Sequence, residues 1–382
     1  MKPKLRFKEF TGEWIEYVLQ SESDVRDGTH DSPKYVEKGY PLITSKNLTD
    51  MGTLDFSNVS YLKQDDFDKI NQRSKVDIGD ILFGMIGTIG KPVRINRDDF
   101  AIKNVALIKE KGLIKNDYLI HYLHTPSINK QFANNQDGGT QKFIALDKIR
   151  KLKIKMPSRK EQEKIVSLFN LLDKKIELQS KKIEDLKLFK SYTKNKLFRN
   201  GEKVVKLKEI LTKWNEKNKD ESINYVESIS NKYGFISQTD QFEDRNVASK
   251  DLKNYYVIRK NVFGYNPSRL NVGSLALKEN DNTSVVSPLY ECFTTTQNTK
   301  FMLEWFGSKY FKKGTLSKFE GGVRNTLNFT NLCEIEINLP SLEKQNKYAN
   351  YLYDFDRKIQ LEELKLNKLN ELKKGLMQNM FI

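Results

Sequence analysis

Two stretches of the chain carry apolar residues at the spacing of a helical heptad. The intervals between them are four, seven and three residues, which is the periodicity of a coiled-coil seam. Polar residues interrupt both ladders at matching places, Gln179 with Glu362 and Lys190 with Lys373. The predicted seam consists of Leu172, Ile176, Ile183 and Leu186 in the first stretch and of Phe355, Ile359, Leu366 and Leu369 in the second.

Both ladders belong to one duplicated segment. Residues 154–198 return at residues 337–381, 183 positions later and without insertion or deletion, and 13 of the 45 paired positions are identical. Chance alone would match about three, so the chain is a tandem duplication. The identical pairs include Pro157 with Pro340 and Gln162 with Gln345.

The length of the repeated helix indicates its role. A helix over residues 160–198 would be about 60 Å long at a rise of 1.5 Å per residue, which is too long to be buried inside one globular domain. We therefore predict an exposed coiled-coil strut in which the two copies pack antiparallel, because a twofold relation brings similar seams together. The alternative is two independent amphipathic helices, each lying on its own domain.

The remainder of each half predicts a mixed α/β domain, so the fold class is α+β. In the first half we predict strands over residues 40–44, 76–83, 93–95, 101–108 and 152–156 and a helix over residues 118–123. The second half repeats the organisation with different content, although Gly138-Gly139 still falls opposite Gly321-Gly322. The predicted divisions are a first α/β domain at 1–152, a first helix at 153–200, a second domain at 201–335 and a second helix at 336–382.

Composition limits the class of protein. The chain has 382 residues with 38% hydrophobic content, enough for two or three domains with real cores. No run approaches 18 apolar residues and the start carries no apolar signal segment, so we expect a cytoplasmic protein without a membrane partner. Two isolated cysteines and three histidines favour neither a disulfide framework nor a metal site.

The formal net charge of +16 favours a polyanionic partner. Each phosphate that Lys or Arg neutralises releases counterions, which strengthens binding, so nucleic acid is the leading expectation. The alternative is that the lysines only solvate the long helices, which hold many of them.

The motifs that could suggest catalysis lack the spacing or the residues that such chemistry requires. The glycine-rich run Gly84 to Lys91 lacks the spacing of a phosphate-binding loop and is better explained as a tight turn between strands. Asn266-Pro-Ser-Arg269 departs from the Asn-Pro-Pro-aromatic motif with which adenine methyltransferases hold a flipped base. His121 and His124, three apart on a predicted helix, are typical of residues that face solvent or a neighbouring turn. We predict no catalytic residue, no metal and no cofactor.

What remains is a set of polar side chains on predicted loops. Arg, Lys, Asn and Gln match base edges in the major groove, and Ser or Thr can bond bases or phosphates. The candidate DNA-binding residues are Thr29, His30, Ser45, Lys46, Asn47, Thr88, Lys91, Gln141 and Lys142 in the first domain and Asn266, Ser268, Arg269, Arg324 and Asn325 in the second.

Taken in order, these features resemble the specificity subunit of type I restriction-modification enzymes. Each half carries a variable domain, a Pro-Ser-x-x-x-Gln helix start and a long heptad helix, and the resemblance covers essentially the whole chain. Further matches are the opening Lys4 to Trp14, the runs 28–30 and 39–47, the strand 79–82, residues 265–269 and the ending 372–376. The second half departs from the pattern, since it keeps only Phe198-Arg199 of the opening stretch.

The resemblance implies a fold and a set of partners. It implies two target-recognition domains separated by a long antiparallel two-helix coiled coil with a pseudo-twofold internal repeat. Each domain would read one half of a split sequence in double-stranded DNA. The chain would recruit two methyltransferase subunits, which bind S-adenosylmethionine, and motor-nuclease subunits, which use ATP, while carrying no catalysis itself. The competing hypotheses are a solitary DNA methyltransferase or nuclease and a coiled-coil adaptor without sequence specificity.

Overall fold

The chain divides into two units in a computed structural model. The structure describes residues 2–49, 52–87, 89–133, 143–231, 233–238, 251–316, 318 and 326–382. The first unit comprises residues 1–180 and 364–382, and the second comprises residues 181–363. Each unit contains one α/β domain together with part of each long helix.

The first unit is built from short strands and helices that precede the first long helix. In chain order these are β1 (Ile15–Val18), α1 (Leu19–Glu22), β2 (Ser23–Asp27), β3 (Tyr40–Ile43), β4 (Ser60–Leu62), α2 (Gln64–Ser74), β5 (Ile81–Gly84), β6 (Gly90–Arg94), β7 (Ala101–Ile102), β8 (Val105–Glu110), α3 (Asn116–Leu123), α4 (Pro126–Ala133), α5 (Leu146–Arg150), β9 (Lys153–Met156) and α6 (Arg159–Arg199).

An antiparallel four-stranded sheet in the order β2-β8-β5-β6 forms the centre of the first domain. Strands β4, β3 and β7 form a second sheet in which β3 and β7 are parallel, and β1 pairs with β9. The core joins Phe83 and Ile108 of the sheet to Tyr118 of α3 and Phe169 of α6. The strut therefore completes the hydrophobic core of the domain that it carries.

The second unit repeats this plan with other strand lengths. Its elements are β10 (Lys203–Lys206), β11 (Leu211–Trp214), β12 (Glu227–Ser230), β13 (Gly234–Ser237), β14 (Tyr256–Ile258), β15 (Phe263–Tyr265), β16 (Leu275–Leu277), β17 (Ser284–Val286), β18 (Glu291–Thr295), α7 (Thr299–Phe306), α8 (Lys309–Leu316), α9 (Phe329–Cys333), β19 (Glu336–Leu339) and α10 (Leu342–Met380).

The duplication therefore extends beyond the helices into the domains. The second four-stranded sheet has the order β11-β18-β15-β16, which is the same topology as the first, and β10 pairs with β19 as β1 pairs with β9. Helices α7, α8 and α9 start 183 residues after α3, α4 and α5. The fold class is α+β with an internal repeat, as the sequence predicted.

One predicted strand was wrong over five of its eight residues. The strand expected at residues 76–83 begins only at Ile81. The preceding residues form a turn in which the Asp80 N–H donates to the Asp77 carbonyl at 3.1 Å and Gly79 has a φ of 97°. Similarly, the strand expected at 101–108 is split into β7 and β8 by Asn104, whose φ of 55° lies in the left-handed region.

The long helices run antiparallel within each unit. In the first unit Phe169 of α6 contacts Phe381, and Asp173, one turn later, pairs with Lys373, so residue numbers rise along α6 while they fall along the partner segment. In the second unit the ion pair of Lys182 with Glu362 and that of Lys190 with Asp356, all four in the long helices, follow the same rule. The predicted antiparallel pairing is confirmed.

Two of these ion pairs are copies of each other. Asp173 matches Asp356 and Lys190 matches Lys373 in the repeat. In the first unit the Lys373 Nζ lies 2.5 Å from Asp173, and in the second the Lys190 Nζ lies 2.7 Å from Asp356. In the first unit α6 supplies the Asp and α10 the Lys, and in the second unit α6 supplies the Lys and α10 the Asp. A twofold relation between duplicated helices produces such an exchange.

Candidate nucleic-acid interface

The candidate residues of the first domain arise mainly at one end of its central sheet. There β2 ends at Asp27, β5 ends at Gly84, β6 begins at Gly90 and β8 begins at Val105, and the register places these ends side by side. We call this end the loop edge. At the opposite end β8 leads towards α3, and Lys115, the residue before α3, donates its N–H to Gln162 of α6 at 3.4 Å. The loop edge of the first sheet is therefore the end opposite to α3 and the start of α6.

Hydrogen bonds to Asn104 join three segments of the chain at the first loop edge. The Asn104 N–H donates to the Thr29 carbonyl at 3.2 Å, and the Ser45 hydroxyl donates to the Asn104 carbonyl at 3.2 Å. The Asn104 side-chain oxygen lies 2.7 Å from Nδ1 of His30. Thr29, His30 and Ser45, which are up to 16 positions apart in sequence, therefore lie together. The left-handed backbone at Asn104, a conformation that Asn tolerates better than most residues, makes the junction possible.

A charged cluster completes this part of the surface. Asp27 accepts from Arg73 and lies 2.8 Å from Nε2 of His30. Hydrogen bonds to Asp27 and Asn104 raise the pKa of His30 above its ordinary value of 6.5, because acceptors face both ring nitrogens and favour the imidazolium. The cluster borders an open cleft of about 340 Å³ that also touches Lys69.

The other candidates of the first domain differ in exposure. Lys46 is exposed, whereas Asn47 is only 7% exposed and its amide bonds the Thr44, Asp55 and Asn58 backbone. Asn47 therefore shapes the loop and we leave it out of the proposed contact surface. Lys91 lies in β6 with a φ of 48°.

Thr88, Gln141 and Lys142 lie outside the described residues. The residues beside them are described: Ile86 pairs with Phe143 in an antiparallel bridge, and the Ile144 N–H donates to the Met85 carbonyl at 2.9 Å. The segment after residue 142 therefore joins the loop between β5 and β6.

The second domain repeats this junction. Its loop edge lies where β15 ends at Tyr265 and β16 begins at Leu275. The Leu327 N–H, 183 positions after Ile144, donates to the Pro267 carbonyl at 3.1 Å. Two segments that are far apart in sequence are thus joined at the loop edge in both domains. Arg324 and Asn325 lie outside the described residues.

Asn266, Ser268 and Arg269 share one loop of the second domain. The Asn266 side chain accepts from the Ser268 N–H at 3.0 Å and caps a short 3₁₀ helix, Pro267–Val272. This cap leaves Ser268 and Arg269 exposed on the first turn, at the loop edge. The arrangement suits a guanidinium that contacts phosphate or guanine, with Asn266 fixing the loop.

The predicted seam residues all lie in buried or half-buried positions. Leu172, Ile183 and Ile359 are buried. Ile176, Leu186, Phe355, Leu366 and Leu369 are half-buried. The matched polar position is also enclosed, since Glu362 is buried and pairs with Lys182 at 3.0 Å.

Sequence reasoning recognised the matched glutamines only as landmarks, whereas the structure shows that they attach each domain to its helix. Gln162 and Gln345 are buried, and each donates through Nε2 to the carbonyl of the proline that precedes its helix, at 3.2 and 2.9 Å. Their side-chain oxygens accept the N–H groups of Lys115 and Asn298, the residues directly before α3 and α7. The duplicated Gln therefore bonds the same two elements twice.

The second half lacks most of the opening stretch of the first, and the ion pair at the start of its long helix has the two charges exchanged. In the first unit Arg6 donates through two nitrogens, each at 2.7 Å, to Glu161, which is 1% exposed. The matching residue in the second unit is Lys344, which lies 2.5 Å from Glu202 of the short connection after α6. The acid on the helix and the base on the preceding segment have exchanged places.

Sequence reasoning missed Arg73 and Asn104 at the first loop edge. Arg73 lies at the end of a helix remote in sequence from Asp27, and only the left-handed conformation distinguishes Asn104.

Among the described residues no helix has the length and apolar content needed to cross a membrane, and no group of three or more His, Cys, Asp or Glu is placed to hold a metal ion.

Comparison with known proteins agrees with this architecture. The type I restriction modification DNA specificity domain matches twice, at residues 34–188 and 200–371. A chain described as the type I restriction-modification S subunit from M. genitalium has a TM-score of 0.60 at 15% identity, over 100% of this chain and 99% of that one. A second, from a structure described as showing complex assembly and conformational transition of the type I R-M system, has a TM-score of 0.61 at 13% identity, over 97% of both chains.

Two curated proteins are similar over shorter stretches. One, named as the MjaX type I restriction enzyme specificity subunit of Methanocaldococcus jannaschii, is 25% identical over 175 residues, 44% of this chain and 41% of the relative. Another, named as a type I restriction enzyme specificity subunit of Haemophilus influenzae, is 31% identical over 124 residues, 31% of each chain. These matches therefore span less than half the length of either relative.

The fold defines a protein with two α/β domains of the same topology, each joined to a pair of long antiparallel helices. Since the domain pattern matches twice and covers most of the chain, the chain belongs to the type I restriction modification DNA specificity family.

Proposed function

We propose that this chain is the sequence-reading subunit of a type I restriction-modification complex. The observation that supports it best is the repetition of one sheet topology with different loops at the loop edge. Duplication keeps the scaffold, while the divergent loops give each domain its own set of donors and acceptors. The net charge of +16 supplies the attraction to DNA phosphates.

The recognised DNA sequence is bipartite and asymmetric in this proposal. The first domain reads one half-site with the residues around Asn104 and the loop between β5 and β6. The second domain reads the other half-site with the loop that holds Arg269. The proposed division into domains at 1–152 and 201–335, each followed by a helical segment at 153–200 or 336–382, assigns all loop-edge residues to the domains.

Exchange of one domain tests independent reading. Residues 20–150 are replaced by the corresponding segment of another family member, and the methylated sites of a host carrying the hybrid and its partner subunits are sequenced. Only one half of the site should change. Simultaneous change of both halves would contradict the proposal, and an unchanged site would place recognition outside the exchanged segment.

The paired helices set the gap between half-sites. Seven residues inserted after Lys182, together with seven after Glu363 opposite it, would keep the heptad phase and lengthen both helices by about 10.5 Å. This length corresponds to about three base pairs at 3.4 Å each, so the gap in the methylated site should grow by about three. The matched control is the insertion in one helix only, which should weaken activity because the two seams no longer match. A gap that stays constant in an active double insertion would show that the domains measure the distance.

Catalysis belongs to the partners of this subunit. We propose that it recruits two methyltransferase subunits, which bind S-adenosylmethionine, and motor-nuclease subunits, which use ATP, in the cytoplasm, where the complex meets DNA. Membership of the type I restriction modification DNA specificity family supports this assignment. The purified chain should not bind S-adenosylmethionine in calorimetry, whereas the complex with methyltransferase subunits should. Stoichiometric binding by the chain alone would favour a solitary methyltransferase instead.

A further inference from the structure

The second domain carries a hairpin, β12–β13, in the interval between β11 and β15. In the first domain the corresponding interval, between β2 and β5, holds β3, β4 and α2. The hairpin strands pair from Glu227 opposite Ser237 to Ser230 opposite Gly234. The two domains therefore place different elements beside the same four-stranded sheet.

The hairpin lies across the sheet in a defined direction. Its first residue, Glu227, bonds Lys278, which follows β16 at the end of the sheet nearer the helices. Near its other end, a Cβ added to Gly234 would lie 3.7 Å from the Cβ of Ala276, further back along β16. From Glu227 to Gly234 the hairpin therefore runs towards the start of β16, which lies at the loop edge.

Packing in the middle of the hairpin agrees with this direction. A Cβ at Gly264 in β15 would lie only 2.7 Å from Cδ1 of Ile229 and 3.1 Å from the Phe235 ring. Glycine at this position lets the hairpin lie directly on the sheet. Asn231 and Tyr233, which lie between β12 and β13, are thus at the end of the hairpin towards the loop edge. We call these two residues the tip.

A buried ion pair holds the base of the hairpin. Lys278 is 0% exposed and Glu227 is 3% exposed, and the Ser284 hydroxyl also donates to the Glu227 carboxylate. Burying two charges requires good geometry and further hydrogen bonds, and a polar group fixed in this way favours one register over its alternatives. The pair therefore fixes the base of the hairpin to the end of β16, and base reading requires rigid support of this kind.

We infer that the tip of this hairpin is a specificity element that reads bases of the second half-site through Asn231 and Tyr233. Tyr233 is 65% exposed at the tip. The major groove of B-DNA admits a two-stranded β-ribbon, and an Asn amide can pair with the N6 and N7 atoms of adenine there. Tyrosine offers an apolar ring for a thymine methyl and a hydroxyl for a base edge.

The inference rests on the proposed function, and its test separates the two. The complete complex is assembled with the wild-type chain or with Tyr233→Ala, Asn231→Ala or Tyr225→Ala. Tyr225 is the matched control, since it is also an exposed tyrosine but lies at the base of the hairpin, just before β12. Binding is measured by competition between the methylated site of the host and DNA in which either the first or the second half-site is scrambled.

Loss of one good base contact corresponds to roughly 5-fold to 100-fold loss of discrimination. Tyr233→Ala and Asn231→Ala should lower discrimination at the second half-site by factors in this range, while discrimination at the first half-site and the behaviour of Tyr225→Ala stay as in the wild type. Full discrimination at the second half-site in both tip variants would overturn the inference while leaving the proposed function intact. Absence of discrimination at both half-sites in the wild type would overturn the proposed function itself.

Discussion

The buried pair of Glu227 and Lys278 gives the sharpest prediction for stability. Glu227→Gln keeps the size of the side chain and an oxygen that can accept from Ser284, but it leaves the Lys278 ammonium buried without a counter-charge. Removing one partner of a buried pair destabilises by about 3–5 kcal/mol, because the remaining charge has lost both water and its partner. For a unit of this size the loss corresponds to a fall in Tm of roughly 6–20 °C.

The double variant separates charge from packing. Lys278→Met alone should cost about as much as Glu227→Gln, since it leaves the carboxylate unpaired. In Glu227→Gln/Lys278→Met neither charge remains, so the loss should be clearly smaller than the sum of the two single losses, with a coupling of about 2–3 kcal/mol. The free energy of unfolding is measured by urea denaturation followed by tryptophan fluorescence.

An exposed ion pair in the same unit is the control. The side chains of Arg259 and Glu216 are 52% and 38% exposed and lie 2.6 Å apart. Because water screens such a pair, Glu216→Gln should change stability by no more than about 1 kcal/mol. If Glu227→Gln lowered the free energy of unfolding no more than Glu216→Gln does, the buried pair would not hold the hairpin. The same conclusion would follow if the loss in Glu227→Gln/Lys278→Met equalled the sum of the losses in the two single variants.

Three further predictions concern the helices and the first loop edge. In a cysteine-free background, cysteines at Leu172 and Leu376 should form a disulfide on oxidation, and cysteines at Leu172 and Phe355 should not; the reverse pattern on a non-reducing gel would rule out the antiparallel pairing. Gln345→Leu should lower the free energy of unfolding by about 1–3 kcal/mol, because buried backbone groups lose their partners, and a thermal melt equal to the wild type would contradict that role. NMR titration of His30 should give a pKa above 6.5. Because this pKa is raised on folding, the contribution of His30 to stability is complete below its unfolded pKa and is lost as pH rises through its folded pKa. A measured pKa at or below 6.5 would show that Asp27 and Asn104 do not accept hydrogen bonds from the His30 ring.

The sequence by itself determined the helices and their relation. Heptad spacing reports directly on which face of a helix is buried, and exact duplication of Asp173 and Lys190 as Asp356 and Lys373 already contained the reciprocal ion pairs. Local periodicity is sufficient here because each seam residue meets a neighbour set by helix geometry alone.

Only the tertiary structure decided which polar residues belong to the surface. Asn47 was a reasonable candidate for base contact by residue type, yet its amide is used by the backbone of its own loop. His121 was expected to face solvent or a neighbouring turn, yet it is buried against Phe169 of α6. Each outcome depends on contacts between segments far apart in the chain, which no spacing rule contains.

The loop edge itself illustrates the same limit. Asn104 and Arg73 carry no motif, and their role becomes visible only when the register of the sheet brings the ends of its strands to one side, next to these two residues. Sequence patterns report burial along one element, whereas a recognition surface is made by loops that several elements bring together. The scaffold could therefore be predicted from the sequence, while the arrangement of the proposed reading surface required the fold.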